Sequence, residues 1–397
     1  MNTSLLARLW EPSGRLQMAE GRLSAHSPEG TPVDDLFVVH HYPQPDPGGL
    51  GKVRFVGPDG AASVLGESEL RELPTRDVVA VLECAGNGRG LRRTRAPGNQ
   101  FGLGMFGQSR WTGPSLADVL AAAGLGDAAY ESIVVTGADE GTTMPEDSHD
   151  RFAKALPRDK ALDPDTIVAW QLDGEDVPAE HGGPLRLVVP GWYGIWWVKW
   201  PVEVRLSAEP AEAFDGFWQN QRYTYQDDEG RVLSAVRDQL PRAVLTWPYD
   251  GAVVSGDASV EILAWAGEHA VTTVELSADD GATWVPAHHV GTGAGPWRWT
   301  RWNGRLPSGL PRGLRRIAVR AVDAAGRTQE WEPEPNRLGY GKTRSTSSSW
   351  TWWRRHPEPR SGRNRLASGR VEAARMPPWT PGFSSLVRAS SRPFVPC

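Results

Sequence analysis

The chain has 397 residues, a formal net charge of −5 and two cysteines. This length allows roughly two or three domains with sizeable cores. The acidic balance argues against a nucleic-acid partner, and two cysteines exclude a disulfide framework. No segment is apolar enough to span a bilayer and no signal peptide is visible, so we expect no membrane partner and a cytoplasmic location.

The first 230 residues predict a mixture of strands with few helices. Residues 1–30 show little periodicity and are expected to form an N-terminal extension. Strands are predicted at residues 36–41, 52–56, 77–82, 132–136, 166–172, 185–189 and 196–206. Helices are predicted at residues 67–73 and 114–123. Asp173-Gly174 predicts a hairpin turn. Together these elements predict an α+β domain over residues 31–230.

The composition changes after about Gly230. Short alternating strands are predicted at residues 260–265, 272–277, 283–287, 297–302 and 315–322. This pattern predicts an immunoglobulin-like β-sandwich over residues 240–340. Residues 341–397 are rich in Ser, Arg and Pro, with 11 basic and 2 acidic residues, and are expected to be disordered. Two origins of this basic tail stay open, an out-of-frame C-terminus and a natural tail.

Cys84 follows the apolar run 78–82 and enters a loop that contains Gly86 and Gly88. A thiol at the end of a buried strand is held rigidly and can face a ligand, and a thiolate is a soft metal ligand. Simple core packing of a buried cysteine is the alternative. The sequence has no Cys-x-x-Cys or His-x-x-x-His pair, so a metal at Cys84 needs its other ligands from a cofactor.

Two other groups place polar residues beside apolar ones. His40 and His41 end a predicted strand, where alternation directs only one of them into a pocket. Exposed loop histidines are the alternative. Arg186 and Lys199 lie among apolar residues with no carboxylate close in sequence. Buried cations need an anionic partner, so either a bound phosphate or an ion pair with a distant carboxylate is expected.

These groups together resemble the sulfite oxidase family of molybdenum-cofactor enzymes. The resemblance runs over roughly residues 36–340. The segments that carry it are residues 84–87, 109–120, 160–164, 181–194 and 198–200. It implies a mixed, sulfite-oxidase-type molybdopterin domain followed by an immunoglobulin-like domain that supports homodimerisation and helps to close the substrate pocket. It also implies molybdenum-molybdopterin (Moco) as the cofactor.

The resemblance assigns roles to individual residues. Cys84 is the implied thiolate ligand of molybdenum. The implied cofactor-binding residues are Phe37, His40, His41, Cys84, Asp139, His181, Arg186, Trp197, Val198 and Lys199. Arg89 matches a substrate-binding arginine of the family.

Several positions depart from the family pattern. Phe152 stands at the expected place of an active-site tyrosine, and Phe101 at that of a pocket tryptophan. Val39 and Thr300 stand where the family has arginines, although Arg301 is adjacent to Thr300. The substrate pocket is therefore expected to be less cationic and to lack a phenolic hydroxyl. Loss of two charge-assisted contacts weakens the prediction of a sulfite site.

The resulting functional prediction is a molybdenum-cofactor oxidoreductase that transfers an oxo group to or from a small sulfur-containing substrate. A sulfoxide-type reductase and a non-catalytic molybdopterin-binding protein are the alternatives. The chain has no Cys-x-x-Cys-His motif, so no haem is expected and a separate electron-transfer partner is required. The direction of turnover stays open.

Overall fold

The computed structural model describes residues 9–10, 16–92, 95–143, 148–249, 252–255, 258–291, 295–306, 313–331, 336–341 and 346–353. Strands dominate these residues. The α-helices are short: α1 Glu67–Arg71, α2 Leu116–Ala122 and α3 Arg158–Ala161. The architecture is therefore mostly β with few helices, and the predicted α+β label is not confirmed. Over the described ranges, no helix combines the length and the apolar character needed to cross a membrane.

The first part of the chain forms several small sheets. In chain order its strands are β1 Leu9–Trp10, β2 Leu16–Ala19, β3 Val38–Val39, β4 Lys52–Val56, β5 Ala62–Gly66, β6 Arg76–Glu83, β7 Phe106–Gly113, β8 Ser132–Thr142, β9 His149–Pro157, β10 Ile167–Ala169, β11 Gln171–Leu172, β12 Glu175–Asp176, β13 Arg186–Val188, β14 Pro201–Ser207, β15 Thr224–Gln226 and β16 Val232–Ala235. The sheet orders are β1-β2-β3, β5-β4-β14-β8-β9, β12-β11-β7-β6, β10-β13 and β15-β16.

Local sequence signals account for the elements that lead to the cleft described below. Strand β6 pairs antiparallel with β7 along its whole length, from Arg76 to Glu83. Helix α2 begins at Ser115, whose side chain accepts the amide hydrogen of Asp118, a typical N-cap. The hairpin prediction is confirmed, because Asp173-Gly174 connects β11 to β12 in a left-handed turn with φ of 54° and 94°.

Two predicted strands are much shorter than expected. Residues 36–41 form a strand only at Val38–Val39. Residues 196–206 form a strand only from Pro201 onward, after a 3₁₀ turn at Gly194–Trp196. The physical reason is visible at Trp200, whose φ of 48° is incompatible with an extended strand. Both irregular segments contribute residues to the cleft.

The second part of the chain consists of two sheets with a common core. Its strands are β17 Arg242–Trp247, β18 Val253–Ser255, β19 Ser259–Trp265, β20 Val271–Ser277, β21 Val285–Pro286, β22 His288–Val290, β23 Thr300–Arg305, β24 Gly313–Asp323 and β25 Thr346–Trp353. The sheet orders are β17-β19-β23-β22 and β18-β25-β24-β20-β21. Ile262 and Trp302 of the first sheet share a core with Leu276 and Val319 of the second. The immunoglobulin-like name and the predicted boundaries remain predictions.

Strand β25 lies within the tail that the composition predicts to be disordered. Thr346–Trp353 pairs antiparallel with β24 and parallel with β18, so the prediction is wrong for these eight residues. The physical reason is that β25 lies between β18 and β24, where its backbone groups find hydrogen-bond partners on both sides whatever its side-chain composition. Residues 354–397 lie outside the described part of the chain.

Candidate active-site cleft

A cleft lies in the first part of the chain, beside the end of β6. Most of the predicted site residues line it: Phe37, His40, His41, Cys84, Asp139, Phe152, Arg186, Trp197 and Lys199. The structure therefore brings together side chains that are far apart in the sequence.

Cys84 is held at the cleft by the turn that follows β6. Its amide donates to the carbonyl of Met105 at 2.9 Å, and its own carbonyl accepts from the amide of Asn87 at 2.9 Å. The sulfur accepts from the amide of Gly86 at 3.4 Å. Burial raises the pKa of the thiol to about 11, against the opposing effect of the Arg89 charge. Without a bound metal the thiol is therefore protonated at neutral pH.

Arg186 is a buried cation with no carboxylate partner among the described residues. Its Nη1 donates to the carbonyl of His181 at 2.8 Å, and its guanidinium lies over the rings of Trp111 and Trp197. Its Nε has no hydrogen-bond partner among the described residues. Burial lowers the pKa of Arg186 to about 9. An anionic ligand in the cleft would supply both the missing acceptor and the missing charge.

The ammonium of Lys199, like the guanidinium of Arg186, donates to backbone carbonyls. Lys199 donates to the carbonyls of Val39 at 3.2 Å and Glu180 at 2.6 Å. Burial and the nearby charge of Arg186 lower the pKa of Lys199 well below its ordinary value. In the described ranges no carboxylate lies within ion-pair distance of either cation. The intramolecular ion pairs that the sequence left open are thus not found there.

Polar groups with unused hydrogen-bonding atoms lie around these two cations. The Oδ1 atom of Asp139 and the Nδ1 atom of His181 have no partner in the described structure. Burial raises the pKa of Asp139 to about 7. His181 itself does not line the cleft but lies directly behind Arg186, through its carbonyl. Val198 is fully buried, and its carbonyl accepts from the amide of Leu187 at 2.9 Å.

Both histidines of the His40-His41 pair line the cleft, so the prediction that only one of them faces a pocket is wrong. Strand β3 ends at Val39, and the alternation of side chains does not continue beyond it. The His40 Nε2 atom lies 2.9 Å from the carbonyl oxygen of Glu180. Burial and neighbouring charges lower the pKa of His41 to about 3. His41 is therefore neutral at physiological pH.

Tyr223 is a cleft residue that sequence reasoning missed. It lines the cleft, and its hydroxyl oxygen lies 2.7 Å from the His41 Nε2 atom. The expectation that the pocket lacks a phenolic hydroxyl is therefore wrong, although Phe152 does line the cleft. Tyr223 follows a single π-helical turn at Phe217–Gln221 and has a φ of 44°. The periodicity of a strand or of a helix cannot predict the position of such a residue.

Lys154 is a second residue that was missed. It is fully buried on β9, and its ammonium donates to the carbonyl of Trp218 at 2.5 Å and lies over the ring of Trp196. Its charge contributes to the lowered pKa of His41. A sequence signal existed, because the alternation of β9 puts Lys154 on the same face as the apolar Phe152 and Leu156.

Arg89 does not line the cleft. Its Nη1 donates to the carbonyl of Asn99 at 3.4 Å and its Nε to that of Gly339 at 3.5 Å. The guanidinium lies 4.5 Å from the ring centre of Tyr340, and this ring stacks on Tyr223. Although Arg89 does not line the cleft, its charge acts on the Cys84 thiol, and its Nη2 atom has no hydrogen-bond partner among the described residues.

The two residues expected at a further arginine position are remote from the cleft. Thr300 and Arg301 lie on β23, where the Thr300 hydroxyl donates to the carbonyl of Ala264 at 2.9 Å. Phe101 is buried and lies close to Gly86. None of these three residues lines the cleft, so the cations of the cleft lining are Arg186 and Lys199.

The residues present fit the cofactor that the resemblance implies. The described residues contain no group of three or more His, Cys, Asp or Glu side chains that could hold a metal ion. A metal at Cys84 therefore needs other ligands, which a dithiolene-bearing pterin has. The unused atoms of Asp139, His181 and Arg186 match a heterocycle with donors, acceptors and a phosphate.

Comparisons with known proteins agree with this fit. The family described as "Oxidoreductase molybdopterin binding domain" matches residues 53–218. The solved structure entitled "Crystal Structure of the Sulfane Dehydrogenase SoxCD from Paracoccus pantotrophus" superposes with a TM-score of 0.71 and 24% identity, covering 86% of this chain and 87% of that chain. The chain described here therefore has the fold of that sulfane dehydrogenase structure.

Curated relatives cover most of the described chain. "Sulfite oxidase" of Gallus gallus is 31% identical over 322 residues, covering 75% of this chain and 68% of the relative. "Sulfite oxidase, mitochondrial" of Mus musculus is 31% identical over 315 residues, covering 74% of this chain and 56% of the relative. The chain thus spans 56–68% of the length of these two relatives. It belongs to the sulfite oxidase family of molybdopterin oxidoreductases.

Proposed function

We propose that this chain is a molybdenum-cofactor oxidoreductase that transfers an oxo group to or from a small sulfur compound. The observation that carries the proposal is the cleft in which Cys84 lies with the cations Arg186 and Lys199, for which the described part of the chain offers no carboxylate within ion-pair distance. The similarity to curated sulfite oxidases supports a sulfur substrate. When bound, the cofactor supplies two-electron oxo-transfer chemistry.

The roles of the cofactor-binding residues follow from their charge and burial. Cys84 would bind the metal through its sulfur, which requires loss of the thiol proton. Arg186 and Lys199 would neutralise the phosphate of the pterin, and their preformed positions avoid a reorganisation on binding. Asp139 and His181 would hydrogen-bond the ring system. The buried ring of Trp197 excludes water from this end of the cleft.

The Tyr223–His41 pair would hold a proton at the substrate end. Since His41 is neutral, its ring carries one N–H, and the hydrogen bond to the Tyr223 hydroxyl sets which nitrogen bears it. The phenol would then donate its proton to an oxygen of the substrate and receive a proton from the ring of His41. In the reverse direction it would take a proton from the substrate and pass one to His41.

The charge of the cleft favours a second candidate within the same chemistry, a sulfoxide-type reductase. Apart from Arg186 and Lys199, which the pterin phosphate would occupy, the cleft lining includes Phe152, Tyr223 and Ile195. Such a surface binds a neutral sulfur–oxygen compound more readily than the sulfite dianion, whose burial needs charged partners. A separate electron-transfer partner, the absence of haem and a homodimer are part of this proposal.

The experiment is metal and pterin analysis followed by a substrate screen in both directions. Protein produced with molybdate is assayed for sulfite and thiosulfate oxidation with an artificial acceptor, and for sulfoxide reduction with a reduced dye. The proposal expects molybdenum and pterin in equal amounts and turnover of at least one sulfur compound. Purified protein without pterin overturns it, and full pterin content without turnover of any of them supports the non-catalytic alternative instead.

A further inference from the structure

Cys84 is flanked by two buried polar residues that are held from the second part of the chain. Glu83 precedes it and Asn87 closes its turn, and each is only 1% exposed. Strand β17 contributes Arg242, whose Nε lies 3.6 Å from Glu83 Oε1 and whose Nη2 donates to the carbonyl of Asn87 at 3.0 Å. Strand β19 contributes Trp265, whose Nε1 donates to Glu83 Oε2 at 2.9 Å.

The same two residues are tied to each other and to the strand behind the thiol. The side-chain amide of Asn87 donates to Glu83 Oε1 at 3.2 Å and accepts through its Oδ1 from the amide of Met105 at 3.3 Å. The carbonyl of Met105 in turn accepts from the amide of Cys84. Both sides of the Cys84 turn are therefore fixed by a connected polar network.

We propose that Arg242 and Trp265, acting through Glu83 and Asn87, are positioning residues that set the orientation of the Cys84 sulfur toward the metal. They touch neither the cleft nor the thiol, so they act through the backbone on either side of it. This inference rests on the proposed function, because it takes Cys84 as the metal ligand. It gives the second part of the chain a role at the metal centre, which no cleft residue of that part provides.

This network can hold the Cys84 turn because it is buried and water does not compete for its hydrogen bonds. Arg242 is 3% exposed, and breaking one member of a buried charged pair leaves the other without compensation. The effect must therefore be probed by changes of different severity. Arg242→Met removes the cation alone, and Glu83→Gln with Arg242→Met removes both charges. Trp265→Phe removes a single hydrogen bond and preserves the packing of a large aromatic ring.

Trp299 provides a matched control for Trp265. The two indoles belong to the same buried cluster beside Phe106, but the Trp299 Nε1 atom has no partner in the described structure. Trp299→Phe therefore makes the same loss of volume without removing a hydrogen bond. A difference between the two variants reports on the bond to Glu83 and not on the size of the ring.

The test uses two readouts on the full chain in a Cys397→Ser background, so that Cys84 is the only thiol. The first is the absorption of the thiolate-to-molybdenum charge transfer, with the molybdenum content per chain. The second is the rate at which Cys84 reacts with a disulfide reagent in protein produced without molybdate. We expect a shifted band in Trp265→Phe but not in Trp299→Phe, and about a tenfold loss of molybdenum in Arg242→Met. We also expect a faster thiol reaction in Trp265→Phe and in Arg242→Met.

An unchanged band and thiol rate in Trp265→Phe, together with wild-type molybdenum content in the double variant, would overturn the inference. If Arg242→Met does not fold, the comparison of the two tryptophan variants decides. Failure of the proposed function is distinguishable, since the wild-type protein itself would then contain no molybdenum. The thiol rates of metal-free protein would still report whether the network holds the turn.

Discussion

Asp139 offers a stability measurement whose size and sign follow from the structure. Burial moves its pKa from 3.8 to about 7, so the folded protein binds this proton more tightly than the unfolded chain. The carboxyl therefore costs no stability below pH 3.8, and its cost grows as the pH rises to 7 and is constant above that. This difference in pKa corresponds to roughly 4 kcal/mol in the free energy of unfolding, at about 1.4 kcal/mol per pKa unit.

Asp139→Asn removes the charge while it keeps the shape. In metal-free protein we expect the variant to unfold at a higher urea concentration than wild type at pH 8, by up to the free energy given above, and at a similar concentration near pH 4. Tryptophan fluorescence in urea at a series of pH values measures this. The difference in unfolding between the two proteins is the quantity to compare, because it cancels the titration of groups that do not feel the Asp139 charge.

Two results would refute the reasoning about Asp139. One is an identical pH dependence of unfolding in the two proteins, which would mean that the carboxyl is solvated. The other is a variant that is less stable than wild type at pH 8, which would mean that the ionised carboxylate has a strong partner in the folded protein. Glu140→Gln is the control, since the neighbouring Glu140 is exposed and ion-paired with Arg151.

Further variants address the cleft. Arg186→Met should lower the pterin content at least about tenfold, since a charge-assisted bond contributes about 1.5–3 kcal/mol. The metal-free variant should be no less stable than metal-free wild type. Normal pterin content would contradict the assignment of Arg186. Tyr223→Phe should retain molybdenum and pterin but lose about 100-fold in kcat, as expected for a proton-transfer group; unchanged kcat would remove Tyr223 from the mechanism. Lys154→Met should raise the pKa of His41, observable by NMR titration, and an unshifted titration would exclude an electrostatic link between them.

Local patterns were sufficient for the core of the candidate site. The position of Cys84 at the end of a buried strand is predictable because the apolar run before it and the glycines after it are both visible in the sequence. Arg186 and Lys199 were predicted because a cation inside an apolar segment is costly unless a ligand compensates it. These features depend on neighbouring residues, so no tertiary information is needed to recognise them.

The missed features depend on contacts between distant segments. Tyr223 meets His41 across 182 positions of the chain, through a π-helical turn that has no simple periodicity. Arg89 was expected at the substrate, but the segment 336–341 places Tyr340 over it. The pairing of Glu83 with Arg242 likewise joins strands of two different sheets. Sequence periodicity contains no information on which of these buried groups will meet.

The most direct test of the account is the sulfur coordination of molybdenum, measured by X-ray absorption on wild type and on Cys84→Ser. Cys397→Ser serves as the control because it removes the other thiol of the chain. The account predicts that Cys84→Ser loses one sulfur ligand relative to wild type and that Cys397→Ser retains all of them. Identical sulfur coordination in wild type and Cys84→Ser would contradict the assignment of this thiol to the metal.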